Sequence, residues 1–427
     1  MAVPRDVFIV CNNTDAMGGL QRWAHHLAGL LASRGAKVTL VGVTHAPERH
    51  RHQRGGSYSV VALHDAWHPP ALAWRPGSVR QRMNVRARAR DLWRTAAMRQ
   101  GAARLSSLFG AARPGAVVIV AQVWAMEWVR HADTTGLKIV GMSHESYRAT
   151  RRSTRYARVR EHYACADRFL ALTAEDADAW ARAGMSNADH MPNPLHVLPG
   201  PAAPLDAPVV ACVGRLAHEK GVDLLLEAWE EVAARHPRWR LRVYGDGPEE
   251  AALIDRAEAA GLGGSIEFRG VTGDVGAALG GASVFALPSR DEGFPMSVLE
   301  SMAQGLPTVA FDCAPGVREL LEDGASGLLV PPGDTVAFAA ALDRLIGDAA
   351  LRRTLGAEAR VSVLRYHPDR VLGRWERLFD LLHREPPAGV PEPLPGRAPR
   401  RSAGERSGAG RPVVDPAAAF GAETGPA

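Results

Sequence analysis

The stretch that decides the reading runs from Asp291 to Ala303, DEGFPMSVLESMA. Two carboxylates, Glu292 and Glu300, bracket seven residues, and Gly293 and Pro295 break the backbone just after the first. Met296, Leu299, Met302 and Ala303 then recur at helical spacing. The pattern predicts a turn running into a helix, with Glu292 on the loop at the helix mouth and Glu300 inside the helix. The free N–H groups at such a mouth, with the positive end of the dipole, favour an anion such as a phosphate. The acids on either side suit neutral hydroxyls, as on sugars. A polyhydroxylated phosphate ester satisfies both. Taken alone, the stretch reads more simply as a surface helix with two solvated acids.

A second stretch shifts that balance: Val213-Gly214-Arg215-Leu216-Ala217-His218-Glu219-Lys220-Gly221. It follows a strand-like run from Pro208 and precedes a helical pattern from Val222 to Ala234. Arg215 and Lys220 place two cations near a helix mouth, suited to a diphosphate whose charge grows as a glycosidic bond breaks. GRL…EKG followed by E-x7-E resembles the sugar-nucleotide domain of the family-4 glycosyltransferases. The resemblance runs from about Arg5 to Arg384, most of the 427 residues. It implies an α/β chain of GT-B architecture: two Rossmann-like domains facing across a cleft, with a C-terminal helix crossing back to the N-domain.

Length and composition agree with two domains. A chain of 427 residues exceeds one ordinary core, and 46% apolar with 23% charged residues is the balance of a globular protein. The expected division is an acceptor domain over 1–190, a linker over 191–207, a nucleotide-sugar domain over 208–367, a crossover helix over 368–385 and a disordered tail over 386–427. No apolar run reaches the roughly 18 residues that span a bilayer. The N-terminus reads as a first strand and not as a signal peptide, so the expected location is cytoplasmic. Cys11, Cys165, Cys212 and Cys313 show no C-x-x-C spacing and read as buried thiols. The +5 charge is uneven in origin: lysine occurs only at 37, 138 and 220, and the other cations are arginines. Arginine clusters are discounted accordingly, and Lys220 gains weight.

In the N-terminal half, Val7 to Cys11, Gly18-Gly19 and a helical pattern ending at Arg34-Gly35 make a β-α-β unit with Lys37 to Val43. The spacing is not the G-x-G-x-x-G of dinucleotide binders. Nine arginines between Arg75 and Arg104, with Trp93 among them, fit an anionic membrane surface, an anionic glycan or a solvated helix face. Peripheral contact with the inner face of the plasma membrane follows from the first of these. No nucleic-acid motif accompanies the charge. A second group, Arg148, Arg151, Arg152, Arg155, Arg158 and Arg160, could hold an anionic acceptor or face water. Asp176 and Asp178 form a D-x-D in a helical pattern, which suits solvent exposure better than a metal. Ser143-His144-Glu145 ends a strand where α/β folds place ligands.

The resemblance then implies roles. Glu300 would take the ribose hydroxyls and Glu292 the donor sugar. Gly18 and Gly19 would face the donor diphosphate, with His144 close to the sugar. The backbone of Gly293, Phe294 and Met296 would touch sugar hydroxyls, that of Ser297 and Val298 the phosphate, and Gly270-Val271 the base. Many members have glycine where Pro295 stands, so any N–H from that position is absent here. The implied reaction is retaining transfer from a nucleotide-diphosphate sugar, UDP favoured over GDP, to a glycan or lipid-linked cell-envelope acceptor. His144, Glu292, Arg215 and Lys220 are the expected catalytic set, with no metal and no cofactor. The alternatives are a catalytically silent sugar-nucleotide binder and a sugar-nucleotide epimerase.

Overall fold

The structure is a computed structural model that describes residues 4, 6–52, 57–65, 78 and 83–384. Two parallel sheets carry it. The first holds β1 (Asp6–Cys11), β2 (Lys37–Gly42), β3 (Ser59–Ala62), β4 (Val117–Val120), β5 (Lys138–Met142), β6 (Arg168–Ala171) and β7 (Ala188–His190), in the order β3-β2-β1-β4-β5-β6-β7. The second holds β8 (Val209–Val213), β9 (Arg240–Tyr244), β10 (Ile266–Phe268), β11 (Val284–Leu287), β12 (Thr308–Phe311) and β13 (Gly327–Val330), in the order β10-β9-β8-β11-β12-β13. β4, β8 and β11, with β1 after Asp6 and β5 after Lys138, are continuous apolar runs buried on both faces, as parallel strands between helix layers must be. This is the two-domain GT-B plan.

The sheet orders fix where a ligand can sit. In each sheet the chain changes direction beside its first strand, between β1 and β4 and between β8 and β11. A crevice opens at the C-terminal ends of two strands at such a point. Asn12 follows β1, and its N–H donates across the first switch point to the Gln122 side chain at 2.9 Å. β8 leads into the 214–220 loop and β11 into residues 288–295, so both sequence motifs leave the second switch point.

The helix Pro368–Arg384 belongs to the C-terminal end of the chain but packs on the first domain. His383 contacts the Gly115 carbonyl at 2.9 Å, Arg374 donates to the His190 carbonyl at 3.3 Å, and Asp369 pairs with Arg34 at 2.7 Å. Its own Trp375 and Phe379 are wholly buried. Among the described residues no helix is long and apolar enough to cross a membrane.

β3 and β7 are edge strands of three or four residues. Residues 315–320 form a helix with Pro315 in its first turn, where the missing N–H costs nothing. One sequence expectation changes. Asp176 is buried, not solvated: it accepts from the Tyr147 N–H at 2.8 Å and the Thr173 hydroxyl at 2.9 Å. Only Asp178 faces water, and no group of metal-ligating side chains occurs among the described residues. The arginine-rich segment lies on helix Val85–Gly110 from its fourth arginine onward; Arg75, Arg80 and Arg82 and the tail fall outside the described residues.

Candidate active site

Glu300 sits in the helix Met296–Gln304 and is 1% exposed. Its charge faces one cation, the Arg22 guanidinium of the opposite domain, 2.8 Å from Oε1. That approach is poorly aligned, and neither carboxylate oxygen has a hydrogen-bond partner among the described residues. Burial raises the Glu300 pKa, and Arg22 opposes part of the shift. A buried carboxylate with both oxygens unbonded is costly unless something else occupies them.

Glu292 lies on the loop, buried, with one oxygen engaged: Lys220 Nζ donates to Oε1 at 2.7 Å and the Ser289 hydroxyl to the same oxygen at 2.7 Å. Burial works against the Lys220 charge, but the carboxylate of Glu292 outweighs it and the ammonium pKa ends raised. Lys220 closes a 3-10 turn, His218–Lys220, whose following Gly221 takes φ +65°. A Cβ there would lie 2.1 Å from the Pro288 carbonyl, so glycine lets the lysine loop sit against the end of β11. Arg215 is exposed and makes no ion pair among the described residues.

The two domains touch at this point. A Cβ on Gly293 would fall 2.0 Å from the His144 carbonyl oxygen, and one on Gly316 would fall 2.0 Å from the Gly293 oxygen. Ser146 donates to Asp291 at 3.1 Å beside that contact. The His144 ring meets Trp23 edge-on at 4.4 Å between centroids, its Nε2 is buried without a partner, and burial lowers its pKa to about 4. The imidazole is therefore neutral at ordinary pH: it can share a hydrogen bond with a hydroxyl but supplies no positive charge. The Glu145 side chain pairs with Arg155.

Pro295 precedes the helix in an extended conformation, and its carbonyl takes the Val298 N–H at 3.1 Å. Of the phosphate donors expected from Ser297 and Val298, the second is thus already engaged, while Met296 and Ser297 hold the unpaired N–H groups of the first turn. The Phe294 side chain turns inward onto Tyr366, leaving only its backbone to the cleft. Gly18 caps the helix Gly19–Ser33, which also carries Arg22. Gly270, at φ +63°, accepts from the Gly245 N–H, and Val271 is exposed beside it. These last two follow β10, the edge strand two places from the second switch point.

Sequence reasoning missed Arg22 and Ser289. Arg22 stands four residues after Gly18, one helical turn beyond the glycine turn, which is the signal that could have found it. Ser289 has no such signal, since a serine after a buried strand is common.

Residues 199–362 match the family model described as glycosyl transferases group 1. An uncharacterised glycosyltransferase of Haemophilus influenzae is 32% identical over 215 residues, 50% of this chain and 61% of that protein. The amylovoran biosynthesis glycosyltransferase AmsD of Erwinia amylovora is 31% identical over 171 residues, 40% of this chain and 48% of that protein. The chain thus spans less than two thirds of the length of these relatives. S. aureus TarM shares the fold with a TM-score of 0.72 at 14% identity, over 88% of this chain and 100% of TarM. The match to glycosyl transferases thus covers residues 199–362, and the likeness to TarM is one of fold.

Proposed function

We propose that the protein is a retaining glycosyltransferase that moves a hexosyl group from a UDP-sugar to a glycan or lipid-linked acceptor of the cell envelope, without a metal ion. The observation that carries this reading is Glu300: a carboxylate 1% exposed, at a switch point, with neither oxygen hydrogen-bonded. Two vicinal hydroxyls, as on a ribose, would fill that vacancy in hydrogen bonding. Beside it, Lys220 and Arg215 offer cations to a diphosphate leaving group, and the N–H groups of Met296 and Ser297 point from the same helix mouth. The relatives point to the cell envelope: AmsD is named for amylovoran biosynthesis, and others for lipopolysaccharide core and colanic acid. The TarM structure was solved with UDP and alpha-GlcNAc-glycerol.

In this mechanism Glu292 orients the donor sugar while Lys220 neutralises it. Its engagement with Lys220 and Ser289 makes it a poor nucleophile. The acceptor hydroxyl attacks on the leaving-group face, its proton passes to a donor phosphate oxygen, and the bond from the anomeric carbon to that phosphate breaks. His144 holds a sugar hydroxyl by its neutral ring. Calorimetry with UDP and with GDP in the presence of a chelator tests the donor site. UDP should bind, GDP less tightly, and Glu300→Ala should weaken UDP by at least about tenfold, the worth of a hydrogen bond to a charged group. No binding of either nucleotide by the wild type would sink the reading. Proton NMR of the product from an α-linked donor should show an α linkage.

A further inference from the structure

A second cavity, about 730 Å³, opens beside the site just described, between the two domains. From the first domain it is lined by Tyr147, Arg148, Arg151, Tyr156 and Arg182, and from the second by Arg318 and the turn that holds Cys313. The acids on its wall are already occupied. Glu175 and Asp312 both accept from Arg318, at 2.8 and 2.6 Å, and Asp176 is held by the Tyr147 N–H and Thr173. Apart from Arg318, the cations are not. Arg148 and Arg151 are exposed and make no ion pair among the described residues, and the Arg182 Nε donates only to the Asp178 carbonyl. Four arginines thus face three carboxylates on the wall, and Arg148 and Arg151 are left to meet an anion. Tyr156 lies flat on the buried Trp180, 5.5 Å between centroids, and Tyr147 stands edge-on to the same ring at 5.0 Å. That fixes two aromatic walls against which a sugar ring can lie.

The cavity and the donor site share a partition. Ser146, next to Tyr147, donates to Asp291, and Asp291 precedes Glu292. A Cβ at Gly316, in the helix that begins at Pro315 on the cavity wall, would strike the Gly293 carbonyl. An acceptor held here thus has its neighbouring hydroxyls at the edge of the Glu292 loop. Building on the transferase reading, we propose that this cavity is the acceptor subsite and that it selects an acceptor carrying an oxyanion, a phosphate ester or a uronate carboxylate, on a sugar. Arg148 and Arg151 grip the anion as paired guanidinium forks, and the tyrosines support the ring.

The test is calorimetry on the full chain saturated with UDP, using glucose 6-phosphate, glucuronate and glucose as probes. At least one anionic probe should bind more tightly than glucose, and which one does so assigns phosphate or carboxylate as the source. The double variant Arg148→Ala/Arg151→Ala should weaken that probe by roughly tenfold or more, the scale of charge-assisted pairs, with UDP affinity unchanged. Arg152→Ala, exposed on the same segment but off the cavity wall, should leave the probe's affinity intact. The proposal is overturned if neither anion outbinds glucose, if UDP displaces the probe, or if Arg152→Ala weakens it as much as the double variant. A wild type that fails to bind UDP sinks the transferase reading alone. Titration of the probes without nucleotide then still decides whether the cavity binds anions.

Discussion

The two lips of the cleft are built from opposite materials. The C-terminal lip holds its two carboxylates out of water: Glu300 and Glu292 are buried, and Lys220 and Ser289 are committed to the second of them, while Arg215 stays exposed. The N-terminal lip carries its charge on exposed, unpaired arginines, of which Arg148 and Arg151 are the plainest. Removing one member of a buried pair strands the other in low dielectric, whereas exposed cations are screened by solvent and salt. The C-terminal lip therefore tolerates little change and suits a ligand that stays the same, a nucleotide. The N-terminal lip can be altered without refolding, which suits a substrate that varies. Arg22 is the exception, an N-terminal residue recruited to the Glu300 carboxylate.

The sharpest break of that comparison is Lys220→Ala. It removes a cation from the expected leaving group, an interaction typically worth 10²–10³, by order of magnitude, in turnover. It also leaves the buried Glu292 with Ser289 as its remaining partner, so the melting temperature should fall as well. Arg152→Ala on the other lip should move neither. Steady-state kinetics and a thermal melt read both, and a loss in turnover of less than about tenfold would refute the role given to Lys220.

Gly293→Ala comes next. Three backbones stack where the lips meet, those of His144, Gly293 and Gly316, and an added methyl would lie 2.0 Å from the His144 oxygen. The lips must part to admit it. Misplacing reacting groups by about 1 Å costs roughly 10²-fold, and that is the expected loss of turnover, with a larger radius of gyration by X-ray scattering. An unchanged radius would show that this contact does not hold the cleft closed.

How much of this was readable in advance follows the same division. Asp291 to Ala303 and Val213 to Gly221 were legible because each couples a buried strand to a turn and a helix, and local rules govern all three. Glu292 on the loop and Glu300 in the helix stand where periodicity put them. What stayed hidden depends on contact between distant segments. The side of helix Gly19–Ser33 that would face Glu300 could not be fixed without knowing the closure of the domains, so Arg22 was missed. Asp176 looked like a solvent residue because its helix pattern gives no sign of the Tyr147 backbone waiting above it. The second arginine group was visible, but the occupation of Glu175 and Asp312 by Arg318, which leaves Arg148 and Arg151 free, was not.

Glu300→Gln sharpens the comparison by moving stability and binding in opposite directions. The Glu300 pKa is raised in the fold by burial. A raised carboxyl contributes stability that is fully present below its unfolded pKa and is lost as pH rises through the folded one. At neutral pH the ionised group is a burden on the free protein, which glutamine removes. The melting temperature without nucleotide should hold or rise, while UDP affinity falls by roughly tenfold as a charged acceptor becomes neutral. A fall in melting temperature with UDP affinity unchanged would mean that Arg22 and Glu300 serve the fold and not the ligand.

The smallest effect belongs to His144, where the lips touch. Burial depresses its pKa from 6.5 to about 4, and His26 and His196 are lowered in the same direction, to about 4 and about 3. A base depressed in the fold binds its proton on unfolding, so its contribution is present above the unfolded value near 6.5 and is lost as pH falls from there to the folded value. Asp176, Asp291 and Glu300, all raised by burial, run the other way in the acid range. The wild-type curve is thus a sum of opposed terms, and only a difference isolates one residue. Denaturant unfolding at pH 6 and pH 5 should show a shallower loss of stability for His144→Gln than for the wild type. The limit for one proton is about 1.4 kcal/mol per pH unit. Parallel curves would mean that the imidazole is already charged at the junction of the lips, and the neutral hydrogen-bonding role assigned to it would have to be given up.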